Sequence, residues 1–113
     1  MTVLLLDDER DFKDARETLV ARSTDEALAL TEGLTELDEL WLDYVLRGSD
    51  STDQFLSALR RRKLAGSPLK LKKVYIHTSS FMAVSLLMSI LTEDLDVPEG
   101  SIERVNHKEY LID

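Results

Sequence analysis

The chain has 113 residues, 43% of them apolar, and a formal charge of −8. That is the length of a single domain, 1–113, with enough apolar material for one packed core, and it excludes a disordered chain. The absence of cysteine excludes a disulfide framework, a thiolate zinc site and a cysteine nucleophile, and the acidic balance argues against generic DNA binding.

The first element is the run Val3-Leu4-Leu5-Leu6, which stops at Asp7-Asp8-Glu9. A short apolar run that ends abruptly in polar groups reads as a buried parallel strand. No basic n-region or small-residue cleavage site precedes it, so a signal peptide is not expected. Residues 10–16 form a charged loop with at most one helical turn, and Glu17–Arg22 reads as a second strand. Ser23 with Glu26 three residues on is a capping box that announces a helix, with Ala27, Leu28, Leu30 and Leu34 as its apolar face and Gly33 as its stop.

A third strand, Glu39 to Asp43, again ends in an acid. Ser51 or Thr52 caps a second helix, with Asp53 in its first turn, Phe55, Leu56 and Leu59 inward, and Arg60–Lys63 at its end. Seven of the 14 basic residues lie between Arg60 and Lys73, which reads as a solvated helix end or as a docking patch for an acidic or phosphate-bearing partner. Ala65-Gly66-Ser67-Pro68 is a turn, and Lys72–Ile76 a fourth strand that runs into His77-Thr78-Ser79-Ser80.

The third helix, Ser80 to about Leu91, is apolar nearly all round, the pattern of a helix buried on more than one side. A homodimer or a protein partner docked on it is the expectation. This run is the longest apolar stretch and falls far short of the roughly 20 residues that span a bilayer, so no membrane contact and a cytoplasmic location are expected. Val97-Pro98-Glu99-Gly100 turns the chain, Ser101–Asn106 is a weak fifth strand, and Tyr110-Leu111-Ile112 packs the end down.

Strands alternating with helices make an α/β domain with a mainly parallel sheet of four or five strands. About seven residues separate the first two strands, too few for a helical crossover of roughly 10–12. The first crossover helix is therefore missing or vestigial. Ligands bind at the carboxyl edge of such sheets, where Asp7, Asp8, Asp43, His77 and Thr78 are expected to converge.

Carboxylates held a few ångströms apart call for a cation, and magnesium suits acids that also face a phosphate. In this reading Asp7, Asp8 and Asp43 hold the metal, with Asp43 as ligand or base. Thr78 and Ser79 donate to a phosphoryl oxygen, His77 is a general acid or base, and Lys108 pairs with phosphate. Asp7-Asp8 can equally be caps or loop solubilisers, His77 a satisfied structural histidine, Thr78 a helix cap and Lys108 a plain surface lysine, while His107 carries no signal.

This order of residues resembles the receiver domains of two-component signalling, whose acidic pair, acceptor aspartate, Thr/Ser and Lys are matched by Asp7, Asp8, Asp43, Thr78 and Lys108. It is more similar to the cyclic-phosphate-processing receiver domains. Leu5-Leu6-Asp7-Asp8-Glu9-Arg10 resembles the opening LDDER of that family. Arg22-Ser23-Thr24-Asp25-Glu26-Ala27-Leu28-Ala29-Leu30 resembles R-T-x-E-E-A-L-x-L. Leu42-Asp43-Tyr44-Val45-Leu46 with Asp50-Ser51-Thr52-Asp53-Gln54-Phe55-Leu56 resembles LDHDLG…DTGxDxL, and Ile76-His77-Thr78 its V/I-H-S.

The resemblance implies a receiver-like, flavodoxin-like fold and a role in processing phosphate ends, such as 2′,3′-cyclic phosphates of RNA or cyclic nucleotides, by a magnesium-dependent phosphoesterase. The chain departs from the pattern at Tyr44-Val45, where the family has His-Asp, and at Ser79-Ser80-Phe81, where it has Asn and Pro. Loss of those polar groups keeps two further readings open: a stand-alone receiver phosphorylated on Asp43, and a non-catalytic interaction module working through helix 80–91.

Overall fold

The apolar runs do form strands. The structure, a computed structural model, describes residues 1–112. Its strands are β1 (Val3–Leu6), β2 (Asp11–Phe12), β3 (Leu19–Ala21), β4 (Glu36–Leu37), β5 (Glu39–Leu42), β6 (Lys70–Leu71), β7 (Val74–Ile76), β8 (Ile102–Arg104) and β9 (Leu111–Ile112). The helices are α1 (Thr24–Thr31), α2 (Thr52–Leu64), α3 (Phe81–Ser89) and the single turn α4 (His107–Tyr110).

Five strands pair in the order β3-β1-β5-β7-β8, every pair parallel. This is the flavodoxin-like order, with β1 beside both β3 and β5 and the chain changing direction around it. Alternation along the strands sorts the core into two layers. Leu4, Leu6, Leu40, Leu42, Val74 and Ile76 pack against Ala27 of α1, Phe55, Leu56 and Leu59 of α2, and Leu87 of α3. Val3, Leu5 and Trp41 point the other way, onto Phe12 and Leu111.

Among the described residues no helix longer than the single turn α4 covers that second layer; aromatic rings do, Tyr110 of α4 among them. Trp41 stacks on Tyr75 at 4.2 Å between centroids, meets Phe12 edge-on at 5.0 Å, and leans on Tyr110 at 5.1 Å. The ring geometry is of the kind that adds to simple area burial. The crossover helix is absent: residues 7–18 make the parallel connection as an extended loop with the short strand β2 in it, in place of the at most one helical turn that the sequence allows. Antiparallel pairing of β2 with β9 holds that loop down, Phe12 opposite Leu111. Arg22 clamps it from beneath, donating to the carbonyl of Arg10 at 2.6 Å and to Asp11 Oδ1 at 2.7 Å.

Half of the capping box forms as read, Ser23 Oγ accepting the Glu26 N–H at 3.1 Å; the Glu26 carboxylate accepts the N–H of Arg22, one residue before the cap, at 3.2 Å. The face of α1 differs. Ala27 and Thr31 are buried while Leu30 is exposed. Gly33 does not adopt the left-handed conformation. The helix end is closed by Arg62, which donates to the Thr31 carbonyl at 3.0 Å and also to the Leu34 carbonyl. The glycine that does terminate a helix is Gly66, with φ +88° after α2.

Several cations of the basic segment are engaged among the described residues, Lys73 over the Tyr75 ring at 5.7 Å among them. Besides Arg62, Lys63 pairs with Asp96, and Lys72 lies 3.2 Å from both Glu36 and Asp38. β4 and β6, beside that pair, were not foreseen; their two-residue runs carry too little pattern to be read locally.

The third helix is α-helical to Ser89 and continues through Leu91 as a five-residue π-helix, Ile90–Asp94. Within one chain it is covered on one side only. Ala83, Leu87 and Leu91 are buried, whereas Phe81, Met82 and Leu86 are exposed, Met82 at 83%.

Candidate active site at the carboxyl edge of the sheet

Strand register assembles the site. Leu6, Leu42 and Ile76 pair side by side in one row of the sheet. The hydrogen bonds continue one residue further, from Asp7 N to the Ala21 carbonyl (3.1 Å), Asp43 N to Leu6 (3.2 Å) and His77 N to Leu42 (2.9 Å). Asp7, Asp43 and His77 are therefore neighbours on adjacent strands. Each offers one ligand atom, and those atoms lie within 4.8 Å of one another.

Asp7 is fully buried. Its Oδ1 accepts the N–H groups of Glu9 and Arg10, both at 2.9 Å, so the side chain folds the loop after β1 over itself. Asp43 is half-buried, and its Oδ1 accepts the Tyr44 N–H at 2.8 Å. Burial, with the Asp7 and Asp8 charges adding to it, raises the Asp43 carboxyl to about 6; the Tyr44 N–H and Arg10 oppose this.

His77 is buried, with neither ring nitrogen hydrogen-bonded to a described residue; Nδ1 stands 3.8 Å from Asp7 Oδ2. Burial lowers its pKa to about 4 despite the attraction of Asp7, so the ring is neutral at pH 7.

Arg10 was not singled out as a site residue. Its guanidinium Nη1 lies 3.3 Å from Asp43 Oδ2 and 3.5 Å from Asp7 Oδ2, between the two carboxylates. A signal was present, since an Asp whose side chain caps the N–H three residues on aims that residue back toward itself. Asp8 lies outside the cluster but lines the mouth of the same cleft. This cleft, of about 390 Å³, is also lined by Glu9, Val45, Thr78, Ser79, Ser80 and His107.

Thr78 is buried beside the cleft, and its hydroxyl accepts the Ser80 N–H at 3.3 Å; the cap of α3 is Ser80, whose Oγ accepts from Ala83 N at 3.2 Å. Tyr44 packs against the helical core layer, while Val45, 65% exposed, presents an apolar group to the cleft.

Lys108 does not line this cleft. It stands with Arg104, Val105, Asn106 and His107 along a second cavity of about 610 Å³. The two share His77, Thr78, Ser79 and His107 as a common wall. His107 was thus missed: the pattern around it is too weak to announce a strand end.

One buried carboxylate, one half-buried one and an imidazole with no hydrogen-bond partner among the described residues fit a divalent cation. The carboxylates suit magnesium, calcium or manganese, and the imidazole nitrogen broadens the set toward softer ions.

A family model described as cyclic-phosphate processing receiver domain matches residues 2–93. No curated protein and no solved structure matches the chain. The matched span holds Asp7, Asp8, Arg10, Asp43, His77 and Thr78; β8, α4 and β9 follow it. No helix of the described residues is long and apolar enough to cross a membrane.

Proposed function

We propose a function for a chain that belongs to the cyclic-phosphate processing receiver domain family: it binds a cyclic or terminal phosphate through a divalent cation, magnesium in the first instance, and opens or removes that phosphate. The carrying observation is the meeting of Asp7, Asp43 and His77 ligand atoms within 4.8 Å at the sheet's carboxyl edge. Asp7 and Asp43 would hold the cation, with Asp8 at the cleft mouth reached through water. Bound there, the cation supplies charge neutralisation at the phosphoryl oxygens.

The protein's own groups divide the remaining tasks. Arg10 neutralises the two carboxylates from between them, so taking up the cation means displacing its guanidinium. His77, neutral at pH 7, is suited to take a proton from an attacking water. The hydroxyls of Thr78 and Ser79 line the cleft and can donate to phosphoryl oxygens. Val45 contributes no proton-transfer group, so tight binding with slow turnover is expected.

The test is thermal unfolding with magnesium or manganese and cytidine 2′,3′-cyclic phosphate, alongside phosphorus NMR of the product. Ligand at a hundred times its Kd stabilises by about 2.7 kcal/mol. An unchanged melting curve with either ion, and no product above an Asp43→Asn control, overturns the proposal.

One observation favours a second role, as an interaction module. The exposed Phe81, Met82 and Leu86 of α3 leave an apolar strip suited to a second copy of the chain or another protein. Leu87 is unsuitable for testing it, being fully buried in the chain's own core. Met82→Ser with Leu86→Ser is expected to cost no more than about 1 kcal/mol of folding stability, the two single effects adding. If the chain self-associates, the same pair should halve its mass in light scattering; a wild type that is monomeric at high concentration removes the homodimer.

A further inference from the structure

The cavity beside the cleft has the opposite electrostatic character. In a chain of charge −8, its outer wall carries Arg104 and Lys108, both exposed, and the half-buried imidazole of His107. Lys13 adds a fourth basic group nearby, since its ammonium donates to the Lys108 carbonyl. Among the described residues, the acidic groups on its own elements are Glu103, which alternation turns to the opposite face of β8, beside Tyr75, and Glu109 on α4, while Asp7 lies behind the shared wall, 3.8 Å from His77 Nδ1. Its volume of about 610 Å³ is within the range of small-molecule sites and exceeds that of the carboxylate cleft, about 390 Å³.

We propose that this second cavity is an anion subsite for a nucleotide carrying a second phosphate, one nucleoside away from the phosphate held at the Asp43 cleft. The proposal rests on the reading of the cleft as a phosphate site and names what else its ligand must carry. The two cavities share one wall, His77, Thr78, Ser79 and His107, so a single ligand can lie across both. Carboxylates dominate one end and repel any anion that arrives without a cation. Arg104 and Lys108 dominate the other end and attract an anion directly. Between them, Val105 and the His107 ring offer a mixed surface for a sugar or base.

A lone phosphate engages one end; a nucleotide with phosphates on both sides of its ribose engages both. The second phosphate is either the terminal 5′-phosphate of a mononucleotide or the next phosphodiester of an oligonucleotide. Recognition is then end-on and local, compatible with a chain whose overall charge opposes generic nucleic-acid binding.

The experiment is calorimetric titration, in magnesium, with three probes. They are cytidine 2′,3′-cyclic phosphate, the same nucleotide bearing a 5′-phosphate, and a dinucleotide ending in a 2′,3′-cyclic phosphate. Exposed charge pairs are each worth up to about fivefold in affinity, so the two extended probes should bind roughly five- to twentyfold tighter than the first. Arg104→Ala with Lys108→Ala should erase that gain, leave the first probe unchanged, and flatten the salt dependence of dinucleotide binding. Arg60→Ala on α2 is the charge control.

A gain with the 5′-phosphate alone, with the dinucleotide alone, or with both supports the subsite and identifies its source. Equal affinities for all three probes, or a gain that survives the double variant, overturn it while leaving the cleft reading intact. If the first probe fails to bind while the extended probes bind in a Lys108-dependent way, the subsite stands and the cleft reading falls. No binding of any probe overturns both.

Discussion

Replacing Asp7 with alanine should destabilise the domain by about 3 kcal/mol, a fall in melting temperature of roughly 12 °C or more. The carboxylate is fully buried and serves three partners at once. It accepts the Glu9 and Arg10 N–H groups, contacts the Arg10 guanidinium, and lies 3.8 Å from His77 Nδ1. Alanine leaves two backbone donors unsatisfied, each costing about 1–3 kcal/mol where water cannot reach, and removes one partner of a buried ion pair. Asp7→Asn separates these contributions: its side-chain oxygen can still accept both N–H groups while its charge is gone, so it should lose clearly less. Circular dichroism melting of the metal-free proteins checks both. A fall under about 3 °C for the alanine variant would mean that Asp7 does not hold the loop after β1.

Asp7 also explains which parts of this protein can be read from its sequence. β1, β5 and β7 were legible because each is a run of apolar residues cut off by a polar one, and burial on both faces of a parallel sheet demands such runs. Once those strands are in register, the convergence of Asp7, Asp43 and His77 is a geometric consequence. The position of Arg10 depends instead on a turn held by one side-chain oxygen, and of Arg22 on the path of a loop without regular structure.

Pairing of β2 with β9 joins Phe12 to Leu111, nearly the full chain apart, and two-residue strands have no period to detect. Trp41 was legible as a core residue, but its stack with Tyr75 depends on strand order. The apolar girth of α3 suggested burial on more than one side. Its isolated sequence could not say that the helix lies at the surface with Phe81, Met82 and Leu86 outward.

The neighbouring carboxylate should behave in the opposite sense: Asp43→Asn should raise the melting temperature of the metal-free protein at pH 7. Asp43 titrates at about 6 in the folded protein against 3.8 as a free side chain, chiefly because burial disfavours its charge. The folded state therefore binds this proton more tightly than the unfolded state. Ionised Asp43 costs stability at pH 7, and the cost is relieved as pH falls through 6 toward 3.8. The full displacement corresponds to about 3 kcal/mol. Solvent reaches the carboxylate and Arg10 stands 3.3 Å away, so about 1–2 kcal/mol is the expected gain, roughly 4–8 °C.

Asparagine retains an oxygen for the Tyr44 N–H and leaves Arg10 its contact with Asp7. The gain should shrink at pH 5, where Asp43 is largely protonated in the parent. His77 is present in both proteins and removes stability as pH falls from 6.5 toward 4, so the quantity to read is the difference between the two proteins at each pH and not either profile alone. The same variant should lose the melting shift produced by magnesium or manganese, together with any turnover of a cyclic phosphate. A variant less stable than the parent at pH 7, or a gain that grows on acidification, would make Asp43 a structural acid like Asp7. The expected contrast has a physical basis: two acids on adjacent strands share an edge and the Arg10 guanidinium between them. One is hydrogen-bonded into the fold, while the other is held ionised against its environment, a cost that a bound cation would remove.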